Sequence, residues 1–161
     1  MLPPTTCDVL VVGGGNAGFS AAISAAQSGP KRVVLIDKCP EEWAGGNSYF
    51  TAGAFRTVHY GLEDLLPIVN NVDSETAAII DMEPYTPEDF AKDMSRTTAG
   101  RSDPQLTSIL VEDSGPTVKW LACNGVRFQL PFNRQAYKIG GRFKFGWVVA
   151  DDGRPRERSY P

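Results

Sequence analysis

Six residues constrain this chain more than any others: Gly13-Gly14-Gly15-Asn16-Ala17-Gly18. They separate two patterns of different period. Before them, Val9-Leu10-Val11-Val12, introduced by Asp8, is apolar at consecutive rather than alternate positions and rich in β-branched residues. That predicts a strand covered on both faces, as in a parallel sheet. After them, Asn16 to Gln27 is alanine-rich, and Phe19, Ala22, Ile23 and Ala26 recur at the spacing of one helical face. Gly29-Pro30 is the expected stop, and Val33-Val34-Leu35-Ile36 repeats the buried-strand pattern before ending at Asp37. Strand, glycine turn, helix and strand make a βαβ unit, for which a right-handed crossover is expected.

The six residues also fit G-x-G-x-x-G. In that pattern one glycine permits the tight turn, one lets a pyrophosphate approach the backbone, and one lets helix and strand pack closely. The start of the helix offers unpaired N–H groups and a positive dipole end. Asp37, nineteen residues beyond Gly18, stands where a carboxylate accepts hydrogen bonds from a ribose hydroxyl. The context predicts a dinucleotide site but does not separate NAD from FAD. A second glycine-rich stretch, Ala44 to Gly53, follows the acid where an NAD enzyme would usually continue into another helix and strand. Such a loop can lay backbone N–H groups along a long, extended cofactor, because glycine carries no β-carbon to obstruct it. It is expected to be ordered and to lead into a short helical turn.

Further along, Leu62, Leu65, Leu66 and Val69 fit a helical face that Asn70-Asn71 ends. Thr86-Pro87-Glu88-Asp89 is a helix start, with Thr as N-cap, Pro at the first helical position and an acid at N3. Asp103-Pro104 repeats the device, with Leu106, Ile109 and Leu110 expected on the inner face. Ser114-Gly115-Pro116 is expected to interrupt that helix. A further helix then carries Val118, Trp120 and Leu121 and closes at Asn124-Gly125. Val126 to Leu130 alternates like a strand, as does the stretch from Arg142 to Val149. Asp151 to Pro161 has almost no apolar side chain and reads as a tail or truncation point.

Composition excludes several classes. Lys and Arg total 16 against 19 Asp and Glu, a net charge of −3, which speaks against a general nucleic-acid binder. Cations do interleave with aromatics from Arg127 through Phe128, Phe132, Arg134, Tyr137, Lys138, Arg142, Phe143, Lys144, Phe145 and Trp147, a mixture that can stack bases. A half-buried sheet with polar outer positions explains it as well, and the acidic balance favours that reading. No apolar run is long enough for a membrane span, and Met1 to Thr6 has no secretory-signal pattern. Three unclustered cysteines, Cys7, Cys39 and Cys123, predict neither a disulfide framework nor a metal site, and a reducing, cytoplasmic setting is expected.

Three strings carry a family resemblance: Val11 to Gly18, Leu35-Ile36-Asp37-Lys38, and Gly45-Gly46-Asn47-Ser48-Tyr49-Phe50-Thr51-Ala52-Gly53-Ala54-Phe55-Arg56. Together they resemble the start of FAD-dependent oxidoreductases of the fumarate reductase/succinate dehydrogenase flavoprotein family. The third string is most similar to tricarballylate dehydrogenase-like members. The stretch Thr117 to Phe128 is similar to the segment that leads into that family's mobile capping domain. The resemblance implies hydride transfer between FAD and a di- or tricarboxylic acid, with an electron acceptor that it does not name.

By the same resemblance, Gly13, Gly14, Gly15, Asn16, Ala17 and Gly18 form the diphosphate loop, and Asp37 holds the adenosine ribose. Lys38 stands near the adenine or is an exposed cation. Gly46, Asn47, Ser48, Ala52 and Gly53 lie along the ribityl and ring end. Some members attach FAD through a histidine in the second loop. The single histidine here is His59, outside that loop, so non-covalent FAD is implied. Arg56 is a weak catalytic candidate: it could meet a substrate carboxylate bidentately, although a surface salt bridge is the commoner fate of an arginine. His59 is a weakly placed proton carrier, and Cys39 reads as a bystander.

The expected organisation is α/β. An incomplete Rossmann-like βαβ unit with its second glycine loop occupies residues 1–60, a helical segment 61–125, the start of an α+β capping region 126–150, and a tail 151–161. Family members are several hundred residues long, so this chain corresponds to an N-terminal piece. As such a piece it is expected to bind FAD weakly and to be poorly soluble, because its sheet edges lack partners. Two rival readings remain at this level, a catalytically silent dinucleotide-binding module and an NAD(P)-dependent dehydrogenase.

Overall fold

The computed structural model describes residues 6–29, 32–51 and 53–145, together with the backbone of the short strands Val148–Val149 and Pro155–Arg156. The expectations for Met1 to Thr5, Pro30, Ala52, Gly146, Trp147 and most of the tail lie outside these residues. The chain forms two compact units, Met1–Ala54 and Phe55–Pro161.

In the first unit, β1 (Val9–Val12) pairs in parallel with β2 (Val33–Ile36), Val9 opposite Val33 and Val12 opposite Ile36. The ladder is tied at both ends. Asp8 N–H donates to the Arg32 carbonyl at 2.9 Å, and Gly13 N–H donates to the Ile36 carbonyl at 2.7 Å. α1 (Asn16–Gln27) connects the strands. The β-branched residues form the strands as expected, but only one face of the pair is covered. Leu10 and Val12 are 53% and 75% exposed. The face of α1 also differs from the periodicity: Phe19 and Ile23 are exposed, and Gly18, Ala22 and Ala25 are the more sheltered positions. The close approach at Gly18 explains this. A helix that touches the strand backbone there must present its smallest side chains inward and its larger ones outward.

The second unit begins with a 3₁₀ turn at Leu62–Asp64 where a longer helical face was expected. Leu62, Leu65 and Val69 still turn inward, against a core of Ile80, Leu130 and Phe145. α2 (Ser74–Ala78) is capped by the Asp73 carboxylate and leads into β3 (Ile80–Met82), a strand not apparent in the sequence pattern. β4 (Ala136–Ile139) and β5 (Arg142–Phe145) form an antiparallel hairpin, and β3 adds in parallel to β5 to give the order β3-β5-β4. Gly140 and Gly141 both have positive φ, +57° and +83°, as a two-residue hairpin turn requires. Preceding the hairpin, the short α5 (Phe132–Gln135) places Phe132 edge-on against Phe143 and Phe145, with centroids 5.1 and 5.3 Å away. The aromatic residues of the cation–aromatic run are thus partly core. Its cations Arg142 and Lys144 are engaged by the Ala78 and Ile80 carbonyls and by Asp81 respectively.

Residues 126–130 do not form the expected strand. Phe128 makes one isolated bridge to Val69, and the Asn71 side chain takes the place of a neighbouring strand: its amide donates to the Leu130 carbonyl and accepts from the Leu130 N–H, both at 2.9 Å. Within the expected tail, β7 (Pro155–Arg156) pairs antiparallel with β6 (Val148–Val149).

α3 (Pro87–Thr98) starts with the complete capping box, in which Thr86 and Asp89 satisfy each other's backbone N–H groups. α4 runs without a break from Pro104 to Cys123, capped by Asp103, and ends with Gly125 N–H donating to Ala122 and Val126 N–H to Leu121, the paired bonds of a Schellman motif. Two corrections follow. Ser114-Gly115-Pro116 does not interrupt the helix, and its inner face is Val111, Ser114, Val118 and Leu121, whereas Leu106, Ile109 and Leu110 are exposed. Both have one cause. The Ser114 hydroxyl accepts from Val58 N–H at 3.0 Å and donates to the Val111 carbonyl at 2.9 Å, and a β-carbon on Gly115 would stand 3.6 Å from the Val58 carbonyl oxygen. The small residues are a docking face for residues 57–58. Pro116 still removes one helical hydrogen bond, so Pro116→Ala is expected to stabilise the second unit by about 1–3 kcal/mol, read as a raised denaturation midpoint at unchanged slope.

Candidate functional site

The two glycine loops meet within the first unit. Gly45 N–H donates to the Gly14 carbonyl at 3.1 Å, and Gly15 and Gly45 form an isolated parallel bridge. Gly46 has φ +59°, and a β-carbon there would stand 3.1 Å from Gly15 Cα. The second loop therefore lies directly on the first, and glycine is needed at position 46 both for the backbone conformation and for the contact. A 3₁₀ helix, Gly46–Phe50, carries Asn47 and Ser48 away from the junction, and Thr51 returns its hydroxyl to the Ser48 carbonyl at 3.1 Å. Gly53 N–H donates to the Thr51 hydroxyl.

α1 begins at this junction. Its N-cap is Gly15, with extended backbone, no side-chain cap and no acid in the first turn. The N–H groups at the start of the helix thus face the glycine loop without a competing side chain. A β-carbon on Gly18 would fall 1.8 Å from the Gly13 carbonyl oxygen, so helix and strand end are in backbone contact.

Asp37 points at the loop. Its Oδ2 accepts from Gly14 N–H and its Oδ1 from Cys39 N–H at 2.8 Å. The Cys39 and Gly14 N–H groups hold the carboxyl below the usual range, so it is an ionised acceptor at neutral pH. Each oxygen has further lone-pair capacity, and the side chain is exposed. Lys38 is exposed. These features fit a bound dinucleotide: bare backbone where a diphosphate needs N–H groups, and an ionised carboxylate where a ribose needs an acceptor. Of the expected residues, Gly13 to Gly18, Asp37 and Gly45-Gly46 come together; Asn47, Ser48 and Gly53 lie further along the second loop; Ala52 is outside the described residues.

The second unit places Arg56 elsewhere than in an open pocket. Its guanidinium pairs with the Asp93 carboxylate and donates to the Tyr85 hydroxyl at 3.0 Å. Asp93 is buried, and it also accepts from Tyr85 at 2.8 Å and from Arg96 at 3.2 Å. Burial pushes the Asp93 carboxyl up, but Tyr85 and the two arginines outweigh it and hold it below the usual range. Burial and the Asp93 carboxylate push the Tyr85 hydroxyl up to about 12. His59 pairs through its backbone with Tyr85, and burial keeps its imidazole below the usual histidine range.

This network was not visible in the sequence. Neither was the exposed aromatic trio Trp43, Tyr49 and Phe50 in the first unit, with centroids 5.2–6.3 Å apart. Among the described residues, no group of three or more His, Cys, Asp or Glu is placed to hold a metal ion. No helix there is long and apolar enough to cross a membrane.

A family model for the FAD binding domain matches residues 8–160. The chain belongs to the FAD binding domain family. Its cofactor is FAD. Relatives include a probable fumarate reductase of Shewanella frigidimarina, 33% identical over 129 residues, a fumarate reductase (cytochrome) of the same organism, 34% identical over 123, and a urocanate reductase of Eggerthella lenta, 32% identical over 130. The matches cover 76%, 76% and 81% of this chain. They cover 18% of the length of each relative, so the chain spans about a fifth of the proteins it matches.

Proposed function

We propose that this chain grips FAD, without a covalent bond, in an oxidoreductase that moves hydride between the flavin and a small di- or tricarboxylic acid. The observation that carries this reading is the junction of the two glycine loops, with the Asp37 carboxylate turned onto it. Backbone N–H groups at Gly15, Ala17 and Gly18 hold the diphosphate, Gly13, whose own N–H is spent on the Ile36 carbonyl, supplies the turn beneath it, Asp37 accepts from the adenosine ribose, and Lys38 stands near the adenine. Gly46, Asn47, Ser48, Ala52 and Gly53 line the ribityl and ring end. FAD, when bound, accepts or donates the hydride; the residues here bind and orient it.

The dicarboxylate part of the substrate class rests on relatives named for fumarate, an unsaturated dicarboxylate; the relative named for urocanate shares the unsaturated acid but has a single carboxyl group. A tricarboxylate such as tricarballylate falls within the proposed class. The protein is cytoplasmic in this reading. One observation favours a second reading, a binding module without turnover: Arg56, the candidate for clamping a substrate carboxylate, is committed to Asp93 and Tyr85.

Titration of the purified chain with FAD, followed by flavin fluorescence and gel filtration, tests the binding. Saturable co-elution of flavin is expected, and a chain that elutes free of flavin at saturating FAD contradicts the proposal. Anaerobic addition of fumarate or urocanate to the reduced complex separates the two readings. Reoxidation supports the enzyme, and binding without reoxidation supports the silent module.

A further inference from the structure

We infer that Gly14 is a positioning residue for the ribose-binding carboxylate, acting through Asp37 and not on the diphosphate. The inference rests on the proposed role of Asp37 and deepens it.

Position 14 does not need glycine for its backbone, because its φ is not among the positive ones. The second glycine loop does not require it either. The three atoms nearest a β-carbon built on Gly14 all belong to Asp37: Oδ2 at 3.0 Å, Cβ and Cγ at 3.5 Å. Its N–H, meanwhile, is spent on Asp37 Oδ2 and is not aimed at a phosphate. Gly15 and Gly18 differ. A β-carbon on Gly15 would meet only backbone of the second loop, 3.9–4.0 Å away, and one on Gly18 would strike the Gly13 carbonyl.

The reason lies in the length of the acid. Aspartate is the shorter of the two carboxylates, so its oxygens stay close to the end of β2. To reach the dinucleotide side of the loop, the carboxylate must seat against the loop backbone itself. A bare Cα at position 14 opens that seat, the Gly14 N–H fixes Oδ2 in it, and the Cys39 N–H fixes Oδ1. A methyl group at position 14 would enter at a distance tighter than ordinary van der Waals contact and push the carboxylate outward, leaving the rest of the loop in place.

The test compares FAD with analogues whose adenosine ribose lacks the 2′- or the 3′-hydroxyl, by fluorescence titration of the full chain. Wild type is expected to bind FAD about tenfold or more tightly than the weaker of the two analogues, the ordinary yield of a hydrogen bond to a charged acceptor. Asp37→Ala is expected to remove that preference. Gly14→Ala is expected to reduce it at least several-fold, with FAD losing more affinity than the weaker analogue. A residue with a merely structural role would weaken all three ligands alike. In the Asp37→Ala background, Gly14→Ala is expected to have no further effect on any ligand.

Undiminished discrimination in Gly14→Ala, equal weakening for all ligands, or additive loss in the double variant each overturns the inference and leaves the Asp37 reading standing. Absence of discrimination in wild type overturns the Asp37 reading and the inference with it.

Discussion

Replacing Gly18 with alanine is expected to abolish flavin binding and to unfold the first unit. The added β-carbon would lie 1.8 Å from the Gly13 carbonyl oxygen and 2.9 Å from its carbon. Both atoms are backbone, so no side chain can swing away, and the helix must lift from the end of β1. Overpacking of this kind costs about 1–3 kcal/mol, and more when backbone has to move. A unit built on two four-residue strands and one helix has little stability to lose. Gly15→Ala provides the contrast. Its β-carbon meets nothing closer than 3.9 Å and its φ of −85° suits any residue, so the fold should survive while the diphosphate loses its close approach. Far-ultraviolet circular dichroism and flavin titration read the two effects separately. A Gly18→Ala chain with native dichroism and undiminished flavin binding would show that the helix start does not pack as described.

Removing the Asp93 carboxylate is expected to produce the largest stability loss in the second unit, about 2–3 kcal/mol for Asp93→Ala by chemical denaturation. Three donors from separate places in the sequence converge on this buried acid, namely Arg56, Tyr85 and Arg96. Without it the Tyr85 hydroxyl and the Arg56 guanidinium lose the carboxylate both donate to, keeping only their bond to each other. The half-exposed arginines recover water, which keeps the figure below that of a fully buried ion pair.

The same network sets an alkaline limit. Tyr85 titrates near 12 in the folded chain and near 10 when unfolded. Between those values the unfolded state releases a proton that the folded state keeps, so stability falls as pH rises from about 10 to about 12 and is fully present below 10. Tyr85→Phe should remove that contribution to the slope. An unchanged alkaline slope in the variant would mean that burial and Asp93 together do not hold the hydroxyl protonated.

What could be read in the sequence was what depends on neighbours in the chain. The glycine loop between strand and helix, the Thr86–Asp89 capping box, the Asp103-Pro104 start and the Asn124-Gly125 stop are all completed within a few residues, and all formed. Errors arose wherever a distant partner decides. Ser114-Gly115-Pro116 carries local breaker signals, but residues 57–58 dock there and the helix continues. The alternating run Val126 to Leu130 is strand-like, yet its neighbour is the Asn71 side chain in place of a strand.

α1 presents its small face inward because of one backbone contact that hydrophobic periodicity does not register. For the candidate site, Gly13 to Gly18 and Asp37 were legible from spacing. The docking of Gly45-Gly46 onto Gly15, and the capture of Arg56 by an acid 37 residues away, were not.

Trp43 gives the first unit an optical consequence. The indole is about half exposed, in the 3₁₀ turn just before Gly45-Gly46, and its emission overlaps the near-ultraviolet and blue absorption of an oxidised isoalloxazine ring. A dinucleotide seated along that loop would drain the indole's excited state by energy transfer. The chain thus carries its own spectroscopic ruler beside the junction of the glycine loops.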